Sequence, residues 1–98
     1  MQLEKELLAL ARRELNRRYG YTGPIGINYI ELEDRILARA YFKSTKVRRM
    51  QDSDGVYRNY LNTKRGYIHL DDGVVEENGI TLELVPQREV FPLVRKIR

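Results

Sequence analysis

Apolar side chains recur at helical spacing from Gln2 to Tyr19. Leu3, Leu7, Leu8, Leu10, Ala11 and Leu15 fall on one half of the helical wheel, with Lys5, Arg12, Arg13, Asn16 and Arg17 on the other. The spacing predicts one amphipathic helix over residues 2–19. Glu4 and Glu6 lie near the positive end of its dipole and Arg17-Arg18 near the negative end, which favours the helix, and Gly20 supplies the stop. Arg18 falls inside the apolar arc and is expected to fray or snorkel outward from the last turn.

Beyond the Gly/Pro loop Tyr21–Gly26 the pattern changes. Asp52-Ser53-Asp54-Gly55, Asn62 to Gly66, Asp71-Asp72-Gly73 and Glu77-Asn78-Gly79 punctuate runs rich in Val, Ile, Tyr and Thr. Those runs, Lys46 to Met50, Val56 to Leu61, Tyr67 to Leu70 and Ile80 to Val85, read as strands. Asn78-Gly79 is the strongest hairpin signal in the chain. Residues 31–42 fit two periods. Leu32, Ile36 and Ala40 are spaced for a helix, whereas Ile36, Ala38, Ala40 and Phe42 alternate as a strand. Alternation that continues into a clearly β region favours strands, with Glu33-Asp34 as the turn after Ile27 to Leu32. The tail 86–98 reads as an edge strand or an extended basic arm.

These elements predict a single α+β domain: one N-terminal helix packed on a five- or six-stranded antiparallel β-meander over 25–85, with curling into a small barrel left open. The expected core is Leu3, Leu7, Ala11 and Leu15 from the helix. The sheet is expected to add Ile27, Ile36, Ala38, Ala40, Phe42, Val56, Leu70, Ile80, Leu82 and Leu84. A single helix covers one face of such a sheet. Leu37, Tyr41 and Tyr57 on outward positions point to a free face suited to self-association, and an unpaired edge strand offers a second route.

Composition narrows the classes. The 98 residues are 42% apolar and 33% charged, which excludes wholesale disorder and fits a modest core. No apolar run reaches the ~18 residues of a membrane span, and no basic-then-apolar leader opens the chain, so a cytoplasmic location is expected. With no Cys there are no disulfides, thiolate metal sites or Cys nucleophiles.

Charge changes the picture most. The overall +4 is small, but residues 35–67 carry a net +7 and residues 68–85 a net −5. Residues 1–34 carry −1 and residues 86–98 carry +3. In the basic block Arg35, Arg39, Lys43, Lys46, Arg48, Arg49, Arg58, Lys64 and Arg65 interleave with Tyr41, Tyr57, Tyr60 and Tyr67. Lys and Arg neutralise phosphates, and aromatic rings stack on unpaired bases at ~1–3 kcal/mol each. On a strand Tyr57 and Tyr60 point to opposite faces, so at most one side can serve as a stacking surface. The candidate binding set is those nine cations with Tyr41, Tyr57 and Tyr60. Two partners suit it: nucleic acid bound with weak sequence preference, or an acidic protein surface. In the second case the basic block meets the acidic 71–83 block of another copy, giving a homo-oligomer. A basic stripe on the helix, Lys5, Arg12, Arg13 and Arg17, is better read as the solvated side of a core-covering helix.

Enzymatic chemistry has little support in the sequence. Asp52-Ser53-Asp54-Gly55 resembles a fragment of a calcium loop, but the frame puts Met50 and Leu61 at ligand positions and fails. His69 with Asp71 and Asp72 lacks a third metal ligand. Ser44 and Ser53 sit in no nucleophile motif. A small metal-independent nuclease built on His69, Arg65 and Tyr67 is the remaining catalytic alternative. The expectation is therefore a non-enzymatic binding module without cofactor or metal.

Overall fold

The computed structural model describes residues 2–97. A helix, α1 (Gln2–Tyr19), is followed by eight strands. They are β1 (Ile25–Glu31), β2 (Ile36–Lys43), β3 (Val47–Gln51), β4 (Tyr57–Thr63), β5 (Gly66–His69), β6 (Val74–Glu77), β7 (Ile80–Gln87) and β8 (Val94–Lys96). The architecture is α+β, as expected. The helix ends where Gly20 takes a left-handed conformation and donates its N–H to the Asn16 carbonyl, an αL cap.

Residues 31–42 form a hairpin and not a helix. Ile36, Ala38, Ala40 and Phe42 align opposite Glu31, Tyr29, Ile27 and Ile25 of β1, so one face of both strands becomes apolar. Leu32 donates to the Arg35 carbonyl across the Glu33-Asp34 turn. On the other side of β2, Ile80, Leu82 and Leu84 of β7 continue the same rows. The helix lays Leu7, Leu10, Ala11 and Leu15 onto this face, with Leu7, Leu15, Ile27, Phe42 and Leu82 almost wholly buried. Each such side chain contributes about 1.5–3 kcal/mol of transfer free energy. Tyr19 stacks on Phe42 with ring centroids 5.5 Å apart, and Tyr21 meets the same ring edge-on. Leu3, Ile36 and Leu70 lie at the core margin, partly buried. Val56, expected inside, is 47% exposed in a turn.

The strand order departs from a single antiparallel meander. One sheet is five-stranded and mixed, in the order β6-β7-β2-β1-β8, with β2–β7 and β1–β8 parallel. The other is a three-stranded antiparallel sheet, β3-β4-β5, and neither closes into a barrel. Chain-neighbour reasoning pairs β5 with the next strand. Instead β7, whose Ile80, Leu82 and Leu84 need cover, takes the place beside β2 under the helix, and β3–β5 are left as an excursion between β2 and β6. The Asn78-Gly79 turn joins β6 to β7, both residues at positive φ. Val74–Glu77, not recognised as a strand from its sequence, is the first arm of that hairpin. The tail does supply an edge strand, β8.

Two glycines make the return paths fit. Gly73 has φ +66, and a Cβ there would lie 2.8 Å from the Leu84 carbonyl oxygen, so only Gly lets the chain enter β6 alongside β7. Residues 88–93, joining β7 to β8, cross the sheet face opposite the helix, with the Phe91 carbonyl oxygen 3.1 Å from where a Gly26 Cβ would be. The strap covers one end of that face and leaves the rest open.

The three-stranded sheet stands away from the body as an arm, meeting the core through Leu61, Ile68 and Leu70. The molecule measures 44 × 25 × 22 Å with a radius of gyration of 14.3 Å. A rounded domain of this length has about 13 Å.

Candidate nucleic-acid interface

Register sorts the side chains of the arm. Arg48, Met50, Arg58, Tyr60, Asn62, Tyr67 and His69 share one face, since Arg48 opposes Tyr60 and Tyr60 opposes His69. Val47, Arg49, Gln51, Tyr57, Asn59, Leu61 and Ile68 share the other. On that second face Leu61 is buried against the body, while Tyr57 toward the free end is 54% exposed. Tyr57 and Tyr60 thus point in opposite directions, as strand alternation requires.

One cation of the arm is neutralised internally. The Arg58 guanidinium donates to Asp52 at 2.5 Å and to both oxygens of Asp54 at 2.9 and 3.0 Å. The Tyr60 hydroxyl donates to the other Asp52 oxygen. The Tyr60 hydroxyl and then the Arg58 guanidinium hold the Asp52 carboxyl below its usual range, and Arg58 does the same for Asp54. Both acids of the would-be calcium loop are therefore engaged by an arginine. Tyr60 is half-buried, its hydroxyl held and its ring 5.4 Å from that of His69, so it is poorly placed to stack on a ligand.

Of the nine candidate cations, six make no ion pair among the described residues: Lys43, Lys46, Arg48, Arg49, Lys64 and Arg65. Arg48 and Arg49 project from opposite faces of β3, and Lys64-Arg65 form the β4–β5 turn. Lys43, Lys46 and Lys64 line a groove of about 460 Å³ between the loop 20–24 and the root of the arm. The Tyr21 hydroxyl accepts the Lys43 backbone N–H at 3.0 Å and donates to the Pro24 carbonyl, which fixes that wall. The Ser44 hydroxyl oxygen, between two of the lysines in sequence, is buried with no hydrogen-bond partner among the described residues. Arg49 lies over the Tyr57 ring, 5.8 Å from its centroid, so a cation and a π-face are presented together. Tyr67, 48% exposed on the opposite face, was not in the candidate set; its place in the Tyr-rich basic block was the available signal.

Three expected members lie elsewhere. Arg35 sits in the β1–β2 turn, at the end of β2 remote from Lys43; eight residues of extended chain separate them by about 25 Å. Its partner is Asp34 at 3.6 Å. Arg39 and Tyr41 project from the open face of the large sheet, where Arg39 meets Glu83 at 3.4 Å and Asn28 donates to the Tyr41 hydroxyl at 3.4 Å. The helix stripe is engaged too. Arg12 donates to the Gly23 carbonyl, Arg13 to Glu77 and Glu14, and Arg17 to Glu14. Arg18 does not fray: it reaches Glu14, Asp71 and the Val74 carbonyl, tying the helix to the acidic block. Asp71 also accepts from the Tyr19 hydroxyl, so three acids of that block (Asp71, Glu77, Glu83) already have partners in the same chain.

Charge is consequently segregated. Residues 43–69 hold seven Lys/Arg and two Asp, a net +5, leaving −1 on the other 71 residues. Neighbouring strands are about 4.8 Å apart, within the ~8 Å screening length at physiological salt, so cations on adjacent strands reinforce one another. Among the described residues no cluster of three or more His, Asp or Glu is arranged to hold a metal ion, and no helix is long and apolar enough to cross a membrane. Compared with known proteins, the chain matches no family model, and no curated protein or solved structure shows a significant similarity to it.

Proposed function

We propose that the three-stranded arm binds nucleic acid through the phosphate backbone, with little sequence preference. The observation that carries this reading is the set of six unpaired cations on both faces of β3, in the β4–β5 turn and at the root of one projecting element, on a body of near-zero charge. A strip that is positive on both faces suits a site walled by phosphates on two sides. Side chain to side chain an antiparallel sheet is about 10 Å thick, and the major groove of B-form DNA is about 12 Å wide. The deep, narrow groove of duplex RNA does not admit such an element. Lys43, Lys46 and Lys64 are point charges and Arg48, Arg49 and Arg65 forks that suit phosphate oxygens; contacts to phosphate fix position and carry no sequence information directly. Tyr57 under Arg49 and the exposed Tyr67 offer rings to any unstacked base. An acidic protein partner on the same arm is the competing reading. A docking of the basic arm on the acidic block of another copy has less support, because Asp71 and Glu77 of that block are tied to the helix of their own chain.

Fluorescence anisotropy with labelled B-form duplex, single-stranded DNA and duplex RNA tests the proposal. At about 50 mM salt each phosphate contact is worth roughly tenfold, so Arg48→Ala with Arg49→Ala weakens binding at least about tenfold. Arg35→Ala, at the far end of the body, leaves it unchanged. Absence of binding to all three probes at low salt, or equal loss in both variants, overturns it.

A further inference from the structure

The face of the large sheet opposite the helix is not finished by its own chain. Two cross-strand rows lie uncovered beyond the strap 88–93. One runs Val74, Glu83, Arg39, Asn28 and Arg95, and the next runs Glu76, Thr81, Leu37 and Ile30, with Ile97 just past the end of β8 bordering the same hollow. Leu37, Val74 and Ile97 are 37%, 40% and 50% exposed, and with Ile30 they border a shallow concavity of about 330 Å³. Sheet faces with contiguous apolar side chains mark interaction surfaces.

We propose that this face is covered by a second copy of the chain in a symmetric dimer. Charge selects the occupant. The two rows carry Arg39 and Arg95 against Glu76 and Glu83, a balanced face that offers nothing to a polyanion or a strongly charged partner. At its centre Arg39 and Glu83 are register partners on β2 and β7. Their side chains are 62% and 49% exposed and only 3.4 Å apart. A two-fold axis passing between them sets each Arg39 opposite the other copy's Glu83, as an isologous contact requires. Two such sheets packed face to face form a sandwich about 10 Å deep. Five strands at about 4.8 Å and two uncovered rows, about 13 Å of strand, give a footprint of about 300 Å² per copy, hence roughly 600 Å² in all. That is well below the size of a stable interface, so the dimer is weak and reversible. The arm takes no part in it.

Sedimentation over a dilution series tests the dimer. The wild-type protein is expected to pass reversibly from monomer to dimer as concentration rises. Arg39→Glu makes the centre of the face wholly acidic and Glu83→Arg makes it wholly basic, so each variant alone is monomeric. Mixed in equal amounts the two form a one-to-one dimer, a recovery that misfolded variants would not give. Wild-type protein that stays monomeric up to about 1 mM, a dimer indifferent to both substitutions, or a mixture that stays monomeric overturns the proposal.

Discussion

Glu14 is 4% exposed and receives hydrogen bonds from Arg13, Arg17 and Arg18. The Arg17 contact, reinforced by the other two against the cost of burial, lowers its pKa to about 2 from 4.5. A folded-state value below the unfolded one means that the stabilisation is full above about pH 4.5 and fades as pH falls toward 2. Glu14→Gln therefore loses stability at neutral pH, about 1.5–3 kcal/mol for charge-assisted bonds. In urea titrations its deficit against wild type shrinks between pH 5 and 2; a deficit that stays constant with pH contradicts the assignment. Glu14 was not legible as a buried group. On the helical wheel it borders the polar arc, and only the return of Asp71–Val74 beside the helix end brings Arg18 and its neighbours around it. Arg58 was misread for a similar reason: Asp52 and Asp54 lie six and four residues before it, a turn-spanning separation that strand alternation does not reveal.

At the scale of elements, local periodicity carried far and pairing did not. The helix, the β1–β2 hairpin and the Asn78-Gly79 turn follow from spacings of a few residues. The parallel pairings of β7 with β2 and of β8 with β1 join partners 44 and 67 residues apart, for which a single sequence holds no local signal. Such pairings depend on close approaches, and Gly73 gives a direct check. Gly73→Ala meets both the left-handed strain, about 1–2 kcal/mol, and a Cβ 2.8 Å from the Leu84 carbonyl oxygen. Gly79→Ala meets only the strain, with nothing within 4 Å. Denaturant unfolding should show Gly73→Ala the more destabilised, by about 1–3 kcal/mol. Equal losses would mean that β6 does not enter beside β7 in this way.

Across the whole molecule, the linear charge blocks anticipated a basic region but not its outline. Arg35 and Arg39 are sequence neighbours of Lys43, yet β2 is a straight rod that carries Arg35 to the far end and turns Arg39 onto a face where Glu83 waits. The surviving cations gather because the β3–β5 excursion projects from the body, a consequence of β7 taking the place beside β2. Two surfaces follow, a positive arm and a charge-balanced sheet face, and they should fail independently: Arg39→Glu abolishes the dimer without removing any of the six arm cations. The dependence of duplex DNA affinity on salt tests the arm most directly. Six phosphate contacts predict a slope of log affinity against log salt near −5, falling in magnitude by about 2 when Arg48 and Arg49 are both replaced by Ala. A slope near zero, or one that the double substitution leaves unchanged, would contradict binding through the arm.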